Sequence, residues 1–152
     1  AEPKIDAVLE AEWHFVGRLQ SNKARRAVRR FEVIHSVDSL HLLTRLDALA
    51  ADEGLAPRVL LQVNVSGEAS KAGIAPEALA AFIERCPAPV GGLMTMPPLA
   101  EDPEQSRPYF ARLAELAAEH GLPRLSMGTT QDYEVAVQEG ATIVRLGTVL
   151  YE

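Results

Sequence analysis

The chain has very little cysteine: Cys86 is the only one in 152 residues. That excludes an intramolecular disulfide and any cysteine-rich zinc module, and it fits a reducing, cytoplasmic compartment. No stretch approaches the roughly 20 consecutive apolar residues of a membrane-crossing helix. The opening residues, Ala1-Glu2-Pro3-Lys4-Ile5-Asp6, place no apolar run behind a basic start, so they do not read as a secretory signal. Positive charge is not in surplus either. The formal net charge is −6, which argues against a general nucleic-acid binder while leaving room for a local basic patch. No Pro/Gly/Ser-rich linker, low-complexity segment or residue-level repeat divides the chain. No His, Asp or Glu spacing reads as a metal site. The expectation is one domain over residues 1–152, with no metal, membrane or nucleic-acid partner.

What is present is a globular composition, 47% hydrophobic and 24% charged. A chain of 152 residues can bury a core without disulfides. Short β-rich runs come at Trp13–Val16, Val33–His35, Val59–Val65, Val90–Met94, Leu125–Met127 and Thr142–Leu146. Segments with helical spacing lie between them. Leu40, Leu43, Leu46 and Leu49 recur every three residues; Leu79, Phe82 and Ile83 follow Pro76; Phe110, Leu113, Leu116 and Ala117 follow Pro108. Proline in the first turn suits a helix start, and Gly140 suits the end of a helix holding Val135 and Ala136. Strands alternating with helices predict an α/β fold with a parallel sheet. An open doubly wound sheet and a closed (β/α)8 barrel both suit that order. A complete barrel takes about 250 residues, so this length holds about six βα units rather than eight.

The last third carries the clearest chemistry. Ser126-Met127-Gly128-Thr129-Thr130-Gln131-Asp132 follows a short strand and opens a helix. Hydroxyls and approachable backbone N–H groups there can bind an anion; the plainer alternative is a helix capped by Thr130 or Asp132. Val144-Arg145-Leu146-Gly147-Thr148 ends the next strand with a second Gly-Thr pair. In barrels, a phosphate site often forms from the loops after the last two strands. Alternation puts Ile143, Arg145 and Gly147 on one strand face. A cation in an apolar strand needs an anion or acceptors: either a ligand or an internal salt bridge to Asp or Glu.

Other polar residues fall at strand ends. His14 precedes Arg18-Leu19-Gln20-Ser21-Asn22-Lys23, His35-Ser36-Val37-Asp38 ends the second run, and Gln62 and Asn64 share a face of the third. Each has a bland reading as a cap or a satisfied buried group. Their shared place at C-terminal strand ends is where parallel α/β folds bind ligands. The basic run Lys23, Arg25, Arg26, Arg29 and Arg30 reads as a solvated helix face, since no aromatics interleave it. Cys86 has no His or Asp near it in sequence and does not read as a nucleophile.

At these residues the chain resembles the pyridoxal-phosphate homeostasis proteins. The matching stretches are WHFVGRLQSNK at 13–23, HSVD at 35–38, LLQVNVSGEASKAG at 60–73, GLMTM at 92–96, RPYFARL at 107–113, LSMGTTQDYEVAVQEGAT at 125–142 and VRLGTVLY at 144–151. The resemblance implies a (β/α)8 TIM-type barrel of the alanine-racemase N-terminal type, here incomplete, with about six of eight βα units. It implies a non-catalytic role in vitamin B6 homeostasis: binding pyridoxal 5′-phosphate as a small-molecule cofactor and limiting its free aldehyde. The implied cofactor-binding residues are Ser126, Gly128, Thr130, Gly147 and Thr148 around the phosphate, Arg145 near the pyridine nitrogen, and Asn64 and Met94 on neighbouring strands. No catalytic residue is assigned. The competing readings are a racemase- or decarboxylase-like barrel fragment and a cofactor-free degenerate barrel.

Two departures from the family pattern bear on this. Thr129-Thr130 stands where the family usually has Met-Ser, and Thr130 keeps the hydroxyl. The family's Schiff-base Lys, on the first barrel strand, has no counterpart: Lys4, Lys23 and Lys71 fall in helix or loop segments. Covalent attachment by the family route is therefore not expected. The match starts at the helix before the family's third strand, and the chain does not start with Met. Both suggest a fragment of a longer chain, a monomer or weak dimer with exposed sheet edges.

Overall fold

The computed structural model describes residues 10–147 and 150. Apolar side chains at helical spacing decide where each helix lies. Leu42, Leu43, Leu46 and Leu49 are buried along α2 (Leu40–Glu53), which starts with the Ser39 hydroxyl accepting from the Leu42 N–H. Phe110, Leu113, Leu116 and Ala117 do the same for α4 (Arg107–Glu119). The shorter helices are α1 (Ala24–Arg30), α3 (Leu79–Glu84) and α5 (Tyr133–Gln138). Pro76 starts a short 3-10 turn that leads into α3, and Pro103 starts another before α4.

The strands between them are β1 (His14–Phe15), β2 (Val33–Val37), β3 (Arg58–Gln62), β4 (Gly92–Met94), β5 (Arg124–Thr129) and β6 (Ile143–Arg145). They form one six-stranded sheet in the order β1-β2-β3-β4-β5-β6, every pair parallel. A doubly wound sheet reverses its strand order at a switch point. This one never does, so the sheet is six strands' worth of a (β/α)8 barrel, with β1 and β6 at its edges among the described residues.

Each strand presents two faces. Ile34, Val37, Val59, Leu61, Leu93, Leu125 and Met127 pack with the helices into one large apolar cluster. Val33, Leu60 and Met94, with Ile143 against them, form a small separate cluster on the other, concave face. The register shifts within β2, between Ile34 and Val37, and within β5, between Ser126 and Thr129. Such irregularities re-aim side chains, and both lie beside the polar residues of the concave face.

The third run departs from expectation. Its ladder ends at Gln62, so Asn64 is not a strand residue. The chain beyond it folds back: Asn64 N–H donates to the Ile74 carbonyl and Ile74 N–H to the Gln62 carbonyl. Gly73 makes the return feasible. Its φ is +130°, and a Cβ there would sit 2.6 Å from the Asn64 nitrogen.

Candidate functional site

The concave face carries a line of polar side chains running across the barrel from β1 to β6. The His14 Nε2 lies 2.7 Å from Glu12 Oε1. The His14 Nδ1 lies 2.9 Å from His35 Nε2, and His35 Nδ1 lies 2.8 Å from Ser126 Oγ. Arg145 Nη1 donates to that same Ser126 oxygen at 2.8 Å, and its Nη2 donates to the Thr95 carbonyl at 2.8 Å. His35 and Ser126 are both fully buried. Burial, then the nearby His14 and Arg145 charges, pushes the His35 pKa down to about 4. Glu12 is held below the usual carboxylate range by the His14 hydrogen bond and then by Arg58, with which it is ion-paired.

Of the two readings of Arg145 left open by its sequence context, the internal salt bridge is not formed among the described residues; a hydroxyl and a carbonyl hold the guanidinium instead. Burial lowers its pKa, against the opposing pull of the Asp132 carboxylate. Its Nε–H is buried with no partner. An unsatisfied buried donor costs about 1–3 kcal/mol unless something accepts from it.

The two Gly-Thr loops meet. The Gly147 N–H lies 3.2 Å from Thr130 Oγ1 and donates to it. Asp132 braces the loop after β5: its Oδ1 accepts from the Thr129 N–H at 2.7 Å and hydroxyl at 3.0 Å, and its Oδ2 accepts from Ser106. Gly128 is explained by packing. Its φ is +90°, and a Cβ would lie 2.5 Å from the Ala136 Cβ on α5. Asn64 turns its amide to loop carbonyls, those of Glu68 and Lys71, while its oxygen accepts from Ser66. Met94 is buried in the apolar cluster of the concave face. Thr148 lies outside the described residues.

Two cavities open where the strands end. One of about 860 Å³ is bordered by Arg18, Ser36, Asp38 and Gln62; the other, of about 410 Å³, by Lys71, Ser106, Thr129 and Asp132. They share Gln62, Ala72 and Met96 as a common wall, and Arg145 and Gly147 border neither. Of the lysines, Lys23 is exposed in a 3-10 turn and Lys71 is half-buried in the loop after β3; Lys4 is outside the described residues. The basic run binds inward as well as outward: Arg25 and Arg29 pair with Glu53 at the end of α2.

The structure thus pairs Arg145 with Ser126 and Gly147 with Thr130, and leaves Asn64 in a loop-holding role. The residues that sequence reasoning undervalued are His14 and His35, each of which had a bland explanation alone. The one signal was strand parity, which puts His35 on the same face of β2 as Val33; nothing local pairs it with His14.

The whole described region lies inside one family match: the alanine racemase N-terminal domain, over residues 4–152. Among curated proteins, the chain is 45% identical to the "Pyridoxal phosphate homeostasis protein" of Aquifex aeolicus, covering 94% of this chain and 67% of that one. It is 46% identical to the protein of the same name from Pseudomonas aeruginosa, covering 95% and 66%. The chain therefore spans about two thirds of the length of these relatives. Among solved structures, PipY of Synechococcus elongatus, without PLP, superposes with a TM-score of 0.87 at 37% identity, over 99% of this chain and 75% of that one. The same protein has also been solved with PLP bound, at a TM-score of 0.83.

Proposed function

Since the chain belongs to the alanine racemase N-terminal domain family, and within it to the pyridoxal phosphate homeostasis proteins, we propose that it is a non-catalytic holder of pyridoxal phosphate. The observation that carries this reading is Arg145: a buried guanidinium whose two terminal nitrogens are fixed by Ser126 and Thr95, with one N–H left over. That donor suits the lone pair of an unprotonated pyridine nitrogen. Thr130, whose Oγ1 accepts from the Gly147 N–H, keeps its own O–H to donate to the phosphate, with Gly147 holding the two loops together there, and Thr148 is proposed as a third contributor. Met94 supplies an apolar wall.

When bound, the cofactor supplies a reactive aldehyde and an electron-withdrawing ring. An arginine at the ring nitrogen cannot accept its proton, so the ring stays a weak electron sink. That suits storage and delivery better than carbanion chemistry. The reading places the protein in the cytoplasm, where the cofactor's recipients would be reached by diffusion.

Equilibrium binding of pyridoxal phosphate against phosphate-free pyridoxal tests the reading. The expected result is binding that needs the phosphate. Equal affinity for the two would overturn the placement of Thr130 and Gly147.

A further inference from the structure

We infer that Glu12, His14, His35 and Ser126 form a hydrogen-bond relay with a single direction, whose task is to position the guanidinium of Arg145. The inference rests on the proposed function only for its effect on affinity. The relay itself follows from counting donors and acceptors.

Both ends are fixed. Arg145 can only donate, and its Nη1 donates to Ser126 Oγ. At the far end the Glu12 carboxylate, kept ionised by His14 and Arg58, can only accept. His14 Nε2 therefore carries its ring proton. A neutral imidazole has only one N–H, so His14 Nδ1 is bare and accepts from His35 Nε2–H. His35 Nδ1 is then bare as well, and the Ser126 hydroxyl donates to it. Every link has one donor and one acceptor: Ser126 accepts from Arg145, donates to His35 and keeps one lone pair in reserve. The opposite direction fails for neutral rings, because it would leave a bare His14 Nε2 against a carboxylate.

Protonating His14 reverses the arrangement. Both its nitrogens then donate, so His35 Nε2 must accept and the His35 proton moves to Nδ1. Ser126 Oγ now accepts from both His35 and Arg145, and its hydroxyl hydrogen has to turn elsewhere. The charged groups around the relay are Glu12, Arg58 and Glu32 at the His14 end, and Arg145 and Asp132 at the other. His35 itself stays neutral through this change, being buried with its pKa near about 4. His35 and Ser126 are thus positioning residues that act through Arg145.

Nitrogen NMR of the histidine rings in the ligand-free protein tests the direction. In mildly alkaline buffer both His14 and His35 are expected as Nε2–H tautomers. When His14 carries both ring protons, His35 should change to Nδ1–H. A Nδ1–H His35 in alkaline buffer, or a tautomer indifferent to His14, would overturn the relay. His14→Gln keeps an acceptor for His35 and should keep its tautomer, whereas His14→Leu should lose the preference; identical behaviour in both variants counts against the idea.

The positioning role is read with two probes, pyridoxal phosphate and its deaza analogue, in which C–H replaces the ring nitrogen. Ser126→Ala should weaken the first about tenfold and leave the second unchanged. An equal loss for both would overturn the positioning role, whether Ser126 touches the phosphate that both probes carry or only holds the fold. If the unaltered protein binds neither probe, the proposed function fails, and the tautomers still decide the relay.

Discussion

On the helix side of the sheet, the strands offer Ile34, Val37, Val59, Leu61, Leu93, Leu125 and Met127 to one continuous apolar cluster. On the concave side, the same strands offer His35, Ser126 and Arg145, linked by hydrogen bonds, above a small patch of Val33, Leu60 and Met94 with Ile143 against it. Neighbouring residues along a single strand thus do opposite work. The outward set holds the helices by burial, at about 25 cal/mol per Å² of apolar surface. The inward set contributes little by burial and depends on each polar group finding a partner. Burial can be met by many apolar residues of similar size, whereas the donor-acceptor order on the concave face tolerates few replacements.

The sharpest way to break that division is on the helix side. Phe110 is fully buried in the large cluster, so Phe110→Ala should lower unfolding stability in urea by about 3–5 kcal/mol. It belongs to the helix-side cluster and not to the concave face, and the His35 tautomer should not change. A loss under about 1 kcal/mol would mean that the outward face is not what holds the fold.

The concave side should answer to pH instead. In the unfolded chain His35 returns to its usual value of 6.5, against about 4 when folded. The unfolded state then binds more protons across that window. His35 burial is thus fully tolerated above about pH 6.5 and destabilises increasingly as pH falls to about 4, by on the order of 2–3 kcal/mol in all. Carboxylates titrate in the same range, so the contribution is isolated by comparing urea midpoints of wild type and His35→Gln across pH. The two curves should diverge in slope between those values; parallel curves would show that His35 is not the group responsible.

Much of the outward face was legible in the sequence, because apolar periodicity reports burial directly. All six strands and four of the five helices follow from it, α1 being read from its basic run instead, and strand alternation puts Ile143 and Arg145 on one face. The six-unit length hinted at a partial barrel, but only the consecutive strand order excludes a doubly wound sheet. The concave face was less legible. Arg145 announced itself as a cation among apolar residues, yet its partners, Ser126 and the Thr95 carbonyl, lie 19 and 50 residues away. The His14–His35 contact spans 21 residues and two strands, and no local pattern encodes it. The strand expected through Val65 failed because apolar alternation continues past Gln62, while Gly73 lets the chain return and take up those backbone groups.

A third region sharpens the comparison by belonging to neither face. Arg25 and Arg29 on α1 reach Glu53 at the end of α2, with both arginines exposed. The pairs lower the Glu53 pKa and raise that of Arg29. They also lie in water, where screening and side-chain entropy cancel most of the attraction. Glu53→Gln should therefore produce the smallest effect of the three: a slight drop in melting temperature at low ionic strength that disappears at about 1 M salt. A large, salt-independent drop would mean that the α1–α2 contact, rather than the outward strand residues, is what keeps the first helices on the sheet.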